Sequence, residues 1–234
     1  MPEKTRVMIL DDHQSIIDGY CYRLGLTPEI EVTGTLLYGE ELESALKQHP
    51  ADVLLLDVHV PTSKNNSSSY PILHLIPRLL QIYPRLNILV ISMTVDRGLI
   101  RAVMDAGASG YLLKDDQRSI QDLGNIVLKI AEGGIHFSPQ AQTLYERSQA
   151  IRDGEALTLK QVAALSLCLA YPDASSSELA DKMGVANSTV RNLLSGAYLK
   201  LGVRTRMAAV TKARQMGLIT PEPPPGYSED LNSA

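Results

Sequence analysis

ADVLLLDVHVP, residues 51–61, is a short apolar run that stops on an aspartate. Three more runs follow the same plan: VMIL (7–10) before Asp11, ILVI (88–91) before Ser92, and GYLL (110–113) before Lys114. Short continuous apolar runs bounded by polar residues are strands buried on both faces of a parallel sheet. EVTGTL, residues 31–36, supplies a fifth strand. Between the runs, apolar residues recur every three or four positions, which predicts crossover helices over about 14–26, 39–48, 70–82, 98–106 and 118–132. Five strands alternating with five helices make a doubly wound α/β domain, here residues 1–134.

The polar residues that end these strands carry chemistry. In an open parallel sheet, ligands bind beyond the carboxyl ends of the strands, where the strand order reverses. Asp11, Asp12 and Asp57 fall there together, and three close carboxylates stay ionised only if something neutralises them. Oxygen ligands alone, without a His/Cys cluster, suit Mg²⁺. Opposite the acids, Lys114 offers a point charge and Ser92 a hydroxyl, a pair able to hold the oxygens of a phosphoryl group carried by Asp57.

ILDDH, LLLDVHVP, LVISM and AGASGYLLKDD resemble the signature segments of response-regulator receiver domains over about residues 5–134. The resemblance implies a flavodoxin-like fold in which Asp57 accepts phosphate and Asp11, Asp12, Asp57 and the backbone carbonyl of His59 bind Mg²⁺. It also implies that Ser92 and Lys114 contact the phosphoryl group, that Tyr111 is the switch aromatic, and that a sensor histidine kinase is the phosphate donor. After Pro61 the chain departs from the family's short glycine-containing loop and inserts TSKNNSSSYP. This Ser/Asn-rich stretch reads as a flexible surface loop beside the phosphorylation site, most simply a tolerated insertion.

Residues 135–154 lose periodicity and read as a linker, with a helix possible over 139–151. From Leu157 the strand pattern stops. Thr158–Gln161 and Ser175–Glu178 fit the capping box, Asn187 is placed to cap a third helix, and helices follow near 158–170, 176–183, 187–201 and 205–216. Residues 155–219 resemble the helix-turn-helix domain of LuxR-type (NarL/FixJ) regulators: ELADKM is a short helix, GVAN a turn, and STVRNLLSGAYLKLGV a longer helix with Val190, Leu194, Tyr198 and Leu201 facing inward. Its other face presents Asn187, Ser188, Arg191, Asn192 and Ser195 to base edges of double-stranded DNA, and Lys200, Arg204 and Arg206 to phosphates. The family usually has glutamate where Gln161 stands and a bulky apolar residue where Gly184 stands; glutamine keeps the cap, and glycine is expected to loosen the turn. Two basic residues in the reading helix imply a modest salt dependence per monomer.

Charge divides the chain in the same way. Of the formal net −4, residues 1–146 carry 12 Lys+Arg against 18 Asp+Glu, and residues 155–219 carry 8 against 4. The acidic end suits a metal-dependent pocket and the basic end a nucleic acid. Residues 220–234, TPEPPPGYSEDLNSA, read as a disordered tail. No apolar run reaches the roughly 18 residues that span a bilayer, so a cytoplasmic protein without membrane association is expected. Cys21 and Cys168 stand alone as reduced core residues.

Together these features describe a phosphorylation-controlled transcriptional regulator that works as a homodimer and is not an enzyme. Two rivals are weaker. An aspartyl-phosphate hydrolase of the haloacid dehalogenase type needs a second aspartate where His59 stands. A phosphate-independent regulator would use the receiver only as a dimerisation platform, and the intact acid pocket argues against that.

Overall fold

A computed structural model of the chain describes residues 3–149 and 157–220. The first part runs β1 (Thr5–Leu10), α1 (Gln14–Gly25), β2 (Ile30–Leu36), a 3₁₀ turn at Gly39–Glu41, α2 (Leu42–Gln48) and β3 (Val53–Leu56). It continues through β4 (Pro61–Ser63), β5 (Asn66–Ser69), α3 (Ile72–Ile82), β6 (Asn87–Ser92), α4 (Arg97–Asp105) and β7 (Gly110–Leu113). Then come α5 (Gln117–Gln121), α6 (Leu123–Ala131), β8 (His136–Phe137) and α7 (Pro139–Gln149). Four helices complete it: α8 (Leu159–Ala170), α9 (Ser176–Met183), α10 (Asn187–Leu201) and α11 (Arg206–Gln215).

The main sheet is parallel throughout, in the order β2-β1-β3-β6-β7-β8. The expected doubly wound architecture is present with six strands rather than five. The extra strand is His136–Phe137, inside the stretch expected to be linker, and it pairs with Gly110 and Tyr111 of β7. Two residues are too few to leave a periodic signal. α7 packs on α4, where the Arg101 guanidinium donates to the Ser148 carbonyl at 3.0 Å, so residues 136–149 lie against the sheet domain. The single helix expected over 118–132 is two, α5 and α6, divided at Asp122.

Alternation along the central strands splits the core between the two faces of the sheet. Val7, Ile9, Val53, Leu55, Leu89 and Ile91 point to the side covered by α1 and α6. Met8, Leu10, Leu54, Leu56, Ile88 and Val90 point to the other side, with Leu42 of α2, Ile76 of α3 and Val103 of α4. That second core continues without a break into Leu165, Leu179, Leu194 and Ala213 of the C-terminal helices, and α3 lies against α8.

The inserted segment after Pro61 is ordered, contrary to the expected flexible loop. β4 and β5 form an antiparallel hairpin that pairs Pro61 with Ser69 and Ser63 with Asn66. Its polar side chains serve the backbone: Thr62 Oγ1 donates to the Ser68 carbonyl at 2.7 Å, and Asn66 Oδ1 accepts from the Ser68 amide at 3.0 Å. Local bonds of this kind explain how a Ser/Asn-rich stretch holds a defined shape. The hairpin also leans on α8, through Asn66 Nδ2 donating to the Ala170 carbonyl at 3.1 Å.

Capping chemistry sets the C-terminal helices. Both expected capping boxes form, Thr158 with Gln161 and Ser175 with Glu178. Asn187 does not cap α10: the cap position is Ala186, and Asn187 is the first helical residue. Gly184 does not loosen the turn. It ends α9 in the left-handed conformation, φ +64°, where its N–H bonds back to Ala180 and Asp181 and a side chain would be strained. Residues 150–156 and 221–234 lie outside the described residues, so most of the expected tail is not covered. Thr220, placed at its start, is buried.

Candidate functional site: an acid pocket and an exposed reading helix

Sheet register assembles the pocket. Leu10 pairs with Leu56, and the Asp57 amide donates to the Leu10 carbonyl at 2.9 Å, so Asp11 and Asp57 emerge side by side where strand order reverses between β1 and β3. Ser92 pairs with Leu113, and the Lys114 amide donates to the Ser92 carbonyl at 2.9 Å. Sequence-predicted residues more than a hundred positions apart therefore meet at one end of the sheet.

Asp11, Asp57 and Ser92 are almost wholly buried, and Asp12 nearly so. Lys114 reaches between two of the acids, its Nζ 2.7 Å from Asp11 Oδ2 and 2.8 Å from Asp57 Oδ2. The other Asp57 oxygen accepts from the Val58 amide at 2.6 Å. Burial, with Asp57 adding repulsion and Lys114 opposing it, pushes the Asp11 carboxyl up to about 6. Burial and Asp57 likewise raise Asp12. For Lys114, burial works against the ammonium, yet Asp57 and Asp11 outweigh it and raise its pKa. Three buried carboxylates against one ammonium leave the pocket short of positive charge, the condition that a divalent cation relieves.

Asp11, Asp12 and His13 can each offer a ligand atom, all within 4.8 Å of one another. His13 was not among the expected residues, although it stands in the quoted DDH. Its Nδ1 is 2.8 Å from Asp12 Oδ1, and its amide donates to Asp11 Oδ1 at 3.0 Å. The donor set is dominated by carboxylate oxygen, which fits a hard cation.

A second missed residue is Thr94. Its amide donates to Ser92 Oγ at 3.0 Å, its carbonyl accepts from the Tyr111 hydroxyl at 2.9 Å, and its Oγ1 is 2.9 Å from His59 Nε2. Nothing in its spacing singles it out; only the fold joins three candidate residues through it. Tyr111 is fully buried, and His59 is buried as well, rather than an exposed loop side chain. Burial lowers the His59 pKa; Asp57 opposes this, while Lys114 and Arg214 of α11 add to it.

In the C-terminal helices, Val190, Leu194 and Leu201 of α10 are buried, and Asn187, Ser188, Arg191, Asn192 and Ser195 are exposed on its opposite face. Lys200 and Arg204 are exposed too. Arg206 departs from expectation: it is half-buried, with its guanidinium donating to the Ala174 carbonyl, so it ties α11 to the α8–α9 connection instead of facing outward.

Residues 7–123 match the family model for the response regulator receiver domain. The chain belongs to that family. Similarity to curated proteins extends beyond the receiver. The transcriptional regulatory protein DegU of Brevibacillus brevis is 25% identical over 92% of this chain and 95% of its own length. The probable transcriptional regulatory protein NarL of Mycobacterium tuberculosis is 28% identical over 93% and 97%. Among solved structures, RcsB of Salmonella enterica serovar Typhimurium bound to promoter rprA with phosphomimetic BeF3⁻ covers 90% of this chain and 98% of its own, at 23% identity and a TM-score of 0.61. That likeness establishes a shared fold, receiver plus helix-turn-helix. Among the described residues, no helix is long and apolar enough to cross a membrane.

Proposed function

We propose that this protein is a phosphorylation-controlled transcriptional regulator acting in the cytoplasm. An Asp57 carboxylate oxygen attacks the phosphorus of a phosphohistidine on a kinase; the P–N bond breaks, the new O–P bond forms, and the leaving imidazole takes up a proton. Asp11, Asp12, Asp57 and the His59 carbonyl would hold Mg²⁺, which supplies positive charge beside the phosphoryl oxygens. Lys114 exchanges its contact with Asp57 for one with the phosphoryl group, and Ser92 turns its hydroxyl toward the same oxygens. The observation that carries this reading is Lys114 bridging two buried aspartates that directly follow neighbouring strands.

The output is binding of double-stranded DNA by α10, as a dimer on paired half-sites and without turnover of a separate substrate. Intact mass after incubation with Mg²⁺ and acetyl phosphate tests the first half: a phosphoryl adduct is expected on the wild type and none on Asp57→Ala. An adduct that survives Asp57→Ala overturns the assignment. Arg191→Ala should weaken operator binding and lower the dimer's salt slope by nearly two units, about 0.9 per protomer, if it contacts phosphate, or relax base preference if it contacts a base edge.

A further inference from the structure

The contact between the sheet domain and the C-terminal helices contains one titratable ring that the phosphorylation chemistry does not use. His74 stands on α3, the helix that lies against α8, and its neighbours Leu73 and Leu75 are buried in the shared core. Its imidazole reaches the end of α9 and forms a hydrogen bond with the Lys182 backbone. The side chain as a whole is half-buried, but its Nε2 is shut off from solvent with no hydrogen-bond partner. One ring therefore joins α3 of the receiver to the first helix of the helix-turn-helix pair.

The surroundings offer nothing to a second proton on that ring. One turn further along α3, Arg78 holds Glu43 of α2 at 2.9 Å. On α9 the Lys182 ammonium lies 3.6 Å from the centre of the Tyr171 ring, and Glu178 and Asp181 are exposed. Glu40 accepts from the Tyr171 hydroxyl at 3.4 Å. Burial keeps the remaining acids of the contact neutral: it pushes the Tyr171 phenol up to about 12 and the Cys168 thiol of α8 up to about 11, and it raises the Tyr70 phenol as well. Lys160 of α8 and Lys64 of the hairpin are exposed. Burial is the main influence on His74 and lowers its pKa; the bond with the Lys182 backbone opposes this, and the positive charge of Arg78 adds to it.

A base held below its ordinary value binds its proton more weakly in the docked chain than in the undocked one. Docking is therefore at full strength above the ordinary histidine value of about 6.5 and is lost as pH falls through the docked value. Protonation places a cation in a contact where a buried ring nitrogen has no acceptor, which is costly.

We propose that His74 is an acid-sensitive clasp between the receiver and the helix-turn-helix domain, through which protons taken up at the α3–α9 contact loosen the docking of the two domains without any phosphoryl group. The proton is a second input to the protein, and Asp57 takes no part in it.

The test uses the full chain. Amide exchange in α3, α8 and α9, divided by the intrinsic rate at each pH, reads the opening of the contact, and the radius of gyration reads the separation of the domains. Below about pH 6.5, opening should grow by up to tenfold per pH unit in the wild type, and equally in Asp57→Ala. His74→Asn keeps a side-chain donor for the Lys182 backbone but takes up no charge, and it should flatten this dependence. His59 and His136, which burial also lowers, remain in that variant. A pH dependence that survives His74→Asn undiminished belongs to them and overturns the clasp. So does a wild type whose opening is constant down to about pH 5, well below the ordinary histidine value. Nuclear magnetic resonance of the wild-type His74 ring keeps the proposal open to refutation even if His74→Asn does not fold. The ring should titrate below about 6.5. Titration at or above that value overturns the clasp.

Discussion

The two faces of the central sheet are built from the same strands but bury their side chains in different company. The face under α1 and α6 is closed: every buried residue of its core lies between Val7 and Ile130. The face under α2, α3 and α4 is shared, because its core runs on into α8, α9, α10 and α11. One face stabilises the receiver alone; the other makes receiver and effector a single packed body. The acid pocket opens at the strand ends between them, and the connections that leave it toward α3 and α4 both lie on the shared side. A change at Asp57 is thereby placed to reach the effector by packing, without a long lever.

The sharpest way to break this comparison is to truncate one residue on each side. Leu123→Ala on the closed face and Leu165→Ala on the shared face should each cost about 2–5 kcal/mol in urea denaturation, since both side chains are fully buried. The contrast lies in hydrogen exchange. Leu123→Ala should leave protection in α8 untouched, whereas Leu165→Ala should lower protection in α3 as well as in α8–α11. Equal effects on both regions would mean that the two faces are not distinct.

A smaller effect is expected from the hairpin that seals the shared face. Asn66→Ala removes the bond to the Ala170 carbonyl and should cost about 1 kcal/mol of interdomain stability. It should appear as earlier urea exposure of α8, with Asp57 phosphorylation unchanged. Thr158→Ala, which breaks the capping box of α8, should cost about 1 kcal/mol, confined to the C-terminal helices.

The smallest effect concerns the strands common to both faces. Arg6 on β1 and Asp52 before β3 are joined at 2.7 Å, with each side chain about a third exposed. The guanidinium holds the Asp52 carboxyl below the usual carboxylate range. A depressed carboxyl contributes stability above its unfolded pKa of about 3.9 and loses it as pH falls through the folded value. Asp52→Asn should therefore cost less than about 1 kcal/mol at pH 7, a gap that closes below about pH 4.

Much of the architecture was legible in the residues. The four apolar runs before Asp11, Asp57, Ser92 and Lys114 are strands of the sheet, as their shortness, their polar boundaries and the helical spacing between them predicted. Thr158–Gln161 and Ser175–Glu178 marked two helix starts because capping is local chemistry. What escaped depends on partners distant in sequence. β8 exists only because β7 offers an open edge. The hairpin after Pro61 is polar throughout and draws its order from its own side chains and from α8. Arg206 looked like a phosphate contact until Ala174 claimed its guanidinium. His13 and Thr94 matter only because the fold places them beside Asp12, and among Ser92, Tyr111 and His59.

By itself, then, the order of residues determined the parallel sheet, the polar residues at its strand ends, the capped C-terminal helices and the polar face of α10. Each is set by periodicity or by groups within a few positions of one another, where a local free-energy preference is already decisive. Tertiary structure alone decided that Lys114 bridges Asp11 and Asp57, that Thr94 bonds to His59 and Tyr111, and that Gly98 and Gly217 meet. Those contacts join segments from about 20 to about 120 residues apart, and such distances close only when burial of a common core has brought the elements together.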